Sequence, residues 1–191
     1  MKNFSIFEHA AQILESVKTE NLGLISNLSR NQFVTQENLR FRAAAPCLEY
    51  AALMIENELL LRTNRTGRIY AGFEKFSNLQ PIIDRYLRIA DISESVTLFG
   101  EPDWIAPRHP HIRYINLTSD FKLAREWFLI AESSTLQVAL VAYADETRGT
   151  QPPEKRLFTA IKTSNPTAVS RLALATDGVI DWSMAASRFG P

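Results

Sequence analysis

The chain has 191 residues, 46% of them hydrophobic and 22% charged, enough for one domain with a real core. Its 21 Lys and Arg balance 21 Asp and Glu, which argues against broad nucleic-acid binding and against a polybasic membrane-binding face. So even a balance leaves little self-repulsion to oppose self-association. The single cysteine, Cys47, excludes an internal disulfide framework and a multi-cysteine metal site, and suits a reducing cytoplasm.

The first residues meet Glu8 and His9 before any long apolar run, unlike a signal peptide. No stretch approaches the roughly 18 apolar residues that a membrane span needs. Phe7, Ala10, Ala11, Leu14 and Val17 recur at helical spacing, which predicts an amphipathic helix over residues 4–18. That stripe serves either a subunit or partner interface or the protein's own sheet. Residues 19–38 are polar, with Leu22, Leu24, Ile25 and Leu28 forming a short helix or a docking strand. A second helix begins near Pro46, carries Leu48, Ala52, Ile55 and Leu59 on one face, and ends before Thr63-Asn64.

The character changes at Gly67. Residues 68–73 read as a strand. Ser77 and Gln80 have capping-box spacing, and the helix they open presents Leu79, Ile82, Ile83, Tyr86, Leu87 and Ala90. Residues 96–99, ended by Gly100, and 112–117 read as short strands. Asp120 caps a helical turn running into Trp127. Residues 128–131 and 136–144 read as antiparallel neighbours. Residues 145–155, with two prolines and a glycine, read as an exposed loop. A further strand spans 156–163. Asn165-Pro166 starts a helix that faces inward through Val169, Leu172 and Ala173. Asp177-Gly178 breaks it, and residues 179–189 form a last short helix. This order gives an α+β fold: a mixed sheet of about five strands packed by helices, with an N-terminal helical layer. Residues 1–45 form the N-terminal helical extension and 46–191 the main domain, within a single globular unit.

In chain order stand Arg68-Ile-Tyr-Ala-Gly-Phe73, Arg85-Tyr86, residues 96–100 with Asp103, Glu126-Trp127-Phe128, residues 139–142, and Arg156 with Phe158, most of them setting a charge beside an aromatic. In order and spacing these pieces resemble the DICT family of sensory domains over residues 67–174, with the helix at 48–61 as a lead-in. Ala160-Ile161 departs from the family, whose members tend to have glycine and tryptophan there. The resemblance implies a sensory input of cyclic-dinucleotide enzymes and histidine kinases, found also as a stand-alone protein and associated with light-responsive systems. It carries no secure ligand.

The candidate signal site is Arg68, Tyr70, Phe73, Glu74, Arg85, Tyr86, Glu126 and Trp127. The arginine forks suit a carboxylate or phosphate, and the aromatics, with Phe76 and Phe128, suit a planar chromophore. The plainer readings are structural ion pairs and core packing. His109 and His111 read as loop residues rather than metal ligands, and Cys47 as a buried inert thiol. No phosphate-binding glycine loop, zinc pattern, nucleophile elbow, cyclase signature or kinase segment is present. These features point to a non-catalytic regulatory module in the cytoplasm, without nucleic-acid or membrane binding. The resemblance implies that it would act on an output protein in trans, a kinase or a cyclic-dinucleotide enzyme, and the zero net charge would allow it to form a homo-oligomer. Its cofactor is unknown. Two other classes stay open: an enzyme with an unfamiliar site around Arg85 and Glu126, and a protein–protein adaptor.

Overall fold

The computed structural model describes residues 2–61, 67–145 and 153–188. The expected helix end at Thr63-Asn64, most of the expected loop at 145–155 and the end of the last helix at Phe189 lie outside those residues.

The fold is a mixed α+β sandwich. Its strands are β1 (Glu20–Leu24), β2 (Asn38–Ala44), β3 (Arg68–Lys75), β4 (Ser95–Glu101), β5 (Ile112–Asn116), β6 (Glu126–Glu132), β7 (Gln137–Ala144) and β8 (Leu157–Thr163). They form one sheet in the order β1-β2-β8-β7-β6-β3-β4-β5. β3, β4 and β5 run parallel, as do β1 and β2, while the β2-β8-β7-β6-β3 stretch is antiparallel. The helices are α1 (Ile6–Leu14), α2 (Arg30–Thr35), α3 (Ala45–Leu60), α4 (Ile83–Asp91) and α5 (Pro166–Arg188).

Alternation along the strands divides the core in two. On one face, Ile69, Ala71, Leu98, Leu129, Leu140 and Ala160 pack under α3 and α4 through Leu48, Ile55, Tyr86 and Ile89. On the other, Tyr70, Phe128, Ile130, Val141 and Ile161 pack under α1 and α5 through Ile6, Phe7, Val169 and Leu172. The apolar stripe of α1 therefore covers the protein's own sheet. Its Ile6, Phe7, Ala10, Ile13 and Leu14 are all buried.

Several expectations need correction. The sheet has eight strands among the described residues, not about five. β1 and β2 come from the first 45 residues, so that segment is not purely helical. In β2, Leu39, Phe41 and Ala43 are buried while Arg40 and Arg42 are exposed, a period of two that marks a strand. The expected helix from Ser77 starts as a 3-10 segment, Phe76–Ile82, and becomes α-helical only at Ile83, because Pro81 has no N–H to donate. Ser77 makes no capping box. Its hydroxyl and amide both donate to Asp103, at 2.6 and 2.9 Å. Trp127 belongs to β6 rather than to a helix end. α5 runs unbroken through Asp177-Gly178. Glycine there costs about 1 kcal/mol of helix propensity, but Val179 and Ile180 are buried just beyond it, and their packing holds the helix together.

Candidate functional site

The eight candidate residues do not converge. They divide into three groups, because successive strand residues point to opposite faces of the sheet.

The first group fastens α5 to the sheet. Arg68 donates to Glu132 Oε2 at 2.5 Å and to Asp177 Oδ2 at 2.6 Å. The Tyr70 hydroxyl donates to Asp177 Oδ1 at 2.8 Å. Burial, and then the neighbouring Asp177, raise the Tyr70 phenol well above its usual range. These contacts clasp the start of β3 and the end of β6 to α5.

The second group lies on the opposite face. The Tyr86 hydroxyl donates to Glu56 at 3.0 Å in a fully buried contact. Arg85 reaches Glu56 Oε2 and Asn57 Oδ1, each at 3.3 Å. Phe73 meets the Tyr86 ring edge-on, with centroids 5.3 Å apart. Trp127, half-buried, packs against Phe158 on the same side. Arg85 and Glu126 thus lie on opposite sides of the sheet and share no site.

The third group, Glu74 and Glu126, lines a cavity of about 580 Å³ where β3 and β7 end and β6 and β8 begin. Its walls include Ser5, Phe7, Lys122, Arg125, Tyr143, Asp145 and Arg156. Gly72 lets β3 approach closely: a Cβ there would meet the Phe128 ring at 2.3 Å. Immediately afterwards the register with β4 shifts, and Glu74 adopts the left-handed region at φ 54°. A non-glycine residue there costs on the order of 1 kcal/mol, and such strain gathers at functional sites. The bend aims the Glu74 carboxylate at Arg156, which grips it in bidentate fashion at 3.0 and 3.2 Å. Arg156 Nε is buried and finds no hydrogen-bond partner among the described residues.

Glu126 begins β6 and is 4% exposed. Its carboxylate accepts from the Ile6 amide at 2.8 Å, the Phe7 amide at 3.2 Å and the Ser5 hydroxyl. The two amides belong to α1's first turn, where backbone N–H groups have no partner within the helix. Ser5 also caps the helix, accepting from the Glu8 amide at 2.9 Å. Burial raises the Glu126 carboxyl to about 7, against the opposing pull of those three donors. One carboxyl group thus faces the cavity, caps a helix and titrates near neutral pH.

The remaining cavity charges are mostly spoken for. Asp145 accepts from Arg42 at 2.8 and 2.6 Å and from Thr159 at 2.6 Å, and Lys122 pairs with Glu8 at 2.9 Å. Arg125 is exposed and makes no ion pair among the described residues. Among the described residues, the cavity donors without a partner are therefore guanidinium N–H groups, from Arg125 and Arg156 Nε. They suit an anion, as arginine forks do. Among the described residues, no nucleophile, base and orienting group are lined up here.

Sequence reasoning missed Ser5, Arg125, Glu56 and Asp177. Ser5-Ile-Phe-Glu8 has capping-box spacing, a readable signal. Asp177 resembled a helix breaker only because its partners are distant in sequence. His109 accepts or donates at Asp91, at 3.1 Å, and His111 at the Ala90 carbonyl, at 3.1 Å, docking the loop before β5 onto the end of α4. No metal-binding cluster exists among the described residues. The Cys47 thiol is buried and its pKa raised by that burial, as for an inert cysteine.

No curated protein matches the chain. Among solved structures, it is similar to the polyphosphate kinase of Porphyromonas gingivalis, at 16% identity and a TM-score of 0.46, covering 74% of this chain and 23% of that one. It is also similar to Nuc, a phospholipase D family member from Salmonella typhimurium, at 10% identity and a TM-score of 0.41, covering 74% of this chain and 93% of that one. The present chain thus spans about a quarter of the kinase's length. No helix among the described residues is long and apolar enough to cross a membrane. One family model matches residues 47–145, from the first turn of α3 to the end of β7. The chain belongs to the DICT family, the sensory domain in diguanylate cyclases and two-component systems.

Proposed function

We propose that the chain is a non-catalytic sensory module that reads a small anion, a carboxylate or a phosphate, in the Glu74–Glu126–Arg156 cavity and acts on an output protein in trans. The observation that carries this reading is the double role of Glu126, which lines the cavity and caps α1. An anion drawn to Arg125 and Arg156 would compete with Glu74 for its guanidinium and raise the negative potential at Glu126. The cap on α1 would respond, and α1 would report occupancy outward. Arg68, Tyr70, Phe73, Arg85, Tyr86 and Trp127 are assigned a supporting role, holding the helices onto the two sheet faces. The output partner is a histidine kinase or a cyclic-dinucleotide enzyme in the cytoplasm. Self-association of the sensor is part of the proposal and rests on its zero net charge. The whole chain would unfold as one unit.

The test begins with native mass spectrometry of the protein as purified, followed by hydrogen exchange of residues 5–14 across a panel of small carboxylates and phosphates. A bound anion that changes exchange in α1 is the expected result. A protein that carries nothing, and whose α1 ignores the whole panel, would leave an adaptor role. Turnover of a nucleotide or cyclic dinucleotide that Glu126→Gln abolishes would make it an enzyme instead. Absorption beyond the aromatic band would replace the anion with a chromophore, and light scattering reads the oligomeric state.

A further inference from the structure

At the other end of β7, on the opposite face of the sheet, lies a second cavity. Its volume is about 630 Å³, within the roughly 300–1,000 Å³ of small-molecule sites. The two cavities are about seven strand residues apart, on the order of 20 Å. Phe33 and Val34 of α2, Met54 and Ile55 of α3, and Leu136 and Val138 at the start of β7 give this one an apolar wall. Val34 is exposed at its mouth. Arg30 and Glu58, also lining it, pair with each other at 3.3 Å.

One feature of the wall is out of keeping with the rest. Lys162 of β8 is 2% exposed. Its ammonium donates to the Gln36 carbonyl at 2.5 Å and to the Ser164 hydroxyl at 3.1 Å, and lies 5.2 Å from the centre of the Phe33 ring. These are neutral partners. A lysine ammonium has three protons to donate, and this one has two acceptors. Glu37 is felt through space, yet no carboxylate forms an ion pair with Lys162 among the described residues. A buried cation without a counter-ion is costly, and the ring face offsets only part of that cost. Burial duly lowers the amine to about 8. The amine nonetheless keeps its proton through most of the physiological range, so the cavity wall presents a buried positive charge whose hydrogen-bond partners among the described residues are neutral.

We infer that this cavity binds an amphipathic monocarboxylate, its head on the Lys162 ammonium and the Ser164 hydroxyl and its tail against Phe33, Met54, Ile55 and Val138. The carboxylate would fill the third donor position and supply the counter-charge. The apolar wall would take the tail out of water. An alcohol of the same length would gain the second benefit and not the first. This site shares no residue with the Glu74–Glu126–Arg156 cavity, so either reading can fail while the other stands.

Dodecanoate and dodecanol serve as probes in calorimetric titrations of the full-length protein. Saturable binding of one dodecanoate per chain is expected, with dodecanol weaker by about tenfold or more, since a charge-assisted hydrogen bond is lost. Lys162→Met keeps the length of the side chain and removes the charge. It should cost dodecanoate about tenfold in affinity and leave dodecanol unchanged. If that variant does not fold, the lysine 15Nζ resonances of the unaltered protein answer the question, because dodecanoate should shift and slow the exchange of one buried ammonium. Equal affinity for acid and alcohol, an unchanged affinity in a folded Lys162→Met protein, many molecules bound per chain, or no perturbed ammonium signal would each overturn the proposal.

Discussion

The two faces of the sheet each hold a buried glutamate, and the two are built differently. Glu56 is 5% exposed and Glu126 is 4% exposed. Burial raises the pKa of both above the usual carboxylate range. Glu56 is answered by side chains, the Tyr86 hydroxyl and the Arg85 guanidinium, which come from a helix packed on its own. Glu126 is answered by the Ile6 and Phe7 amides and the Ser5 hydroxyl, 119 to 121 residues away in sequence. The first arrangement locks two layers that hydrophobic packing already holds. The second ties a terminal helix to the mouth of a cavity. Burial of a charged group is thus common to both, and only the identity of the donors separates a lock from a coupling.

The largest effect should come from Glu56→Ala. It leaves the Tyr86 hydroxyl buried without an acceptor and opens a void, together about 3 kcal/mol. Chemical denaturation measures the loss. Hydrogen exchange in α1 should not change before global unfolding, since α1 lies on the other face. Accelerated exchange there would mean that the two faces are not independent. Glu126→Ala should cost less, about 2 kcal/mol, the order of a lost helix cap. It should speed exchange and proteolysis within residues 5–14 ahead of the rest of the chain. If α1 stays as protected as in the parent protein, the cap is not what holds it.

A pH series sharpens the contrast further. Glu126 has its folded pKa raised from 4.5 to about 7. Between those values the folded state holds more protons than the unfolded state, so stability falls as pH rises. The contribution is fully present below about pH 4.5 and is lost as pH climbs through 7. Glu126→Gln stays neutral throughout. The parent protein should therefore lose roughly 2 kcal/mol relative to Glu126→Gln between pH 5 and pH 8. A difference that is flat over that span would show the carboxylate to be better solvated than its burial implies.

Much of the fold was readable because its signals are local. Residues 68–73, 136–144 and 156–163 carry enough β-branched and apolar side chains to name strands, and α1 and α3 show their stripes. β2 went unread although Leu39, Phe41 and Ala43 alternate with Arg40 and Arg42, because the polar residues before it diluted the pattern. The unbroken α5 was not readable, since two tertiary contributions hold Asp177-Gly178 helical: the burial of Val179 and Ile180 and the contacts of Asp177 with Arg68 and Tyr70, more than 100 residues away. The candidate site shows the same limit. The types of Glu74, Glu126 and Arg85 suggested a charged site, but strand alternation assigns Glu126 to one face, and the helix beyond β3 carries Arg85 to the other. The role of Glu126 depends on Ser5, and no local pattern joins residues 5 and 126.

Glu74→Gly should have the smallest effect on stability, and its smallness is informative. Two terms oppose each other. Glycine relieves the left-handed backbone at φ 54°, worth about 1 kcal/mol. It also removes the carboxylate that Arg156 grips at 3.0 and 3.2 Å. That pair is mostly buried, at 15% and 12% side-chain exposure, but Arg156 lines the open cavity, where water can reach the stranded guanidinium, so the loss costs about 1–2 kcal/mol rather than the full penalty of an unpaired buried charge. The net change should lie within about 1 kcal/mol of zero by denaturant titration. Ligand behaviour should not be neutral, because Arg156 would be released to bind an external anion in place of Glu74. Binding of inorganic phosphate or acetate, followed by hydrogen exchange in α1, should strengthen in this variant. A strongly destabilised protein would mean that Glu74 serves the fold. A stable protein with unaltered anion binding would mean that the strained carboxylate serves neither the fold nor the cavity.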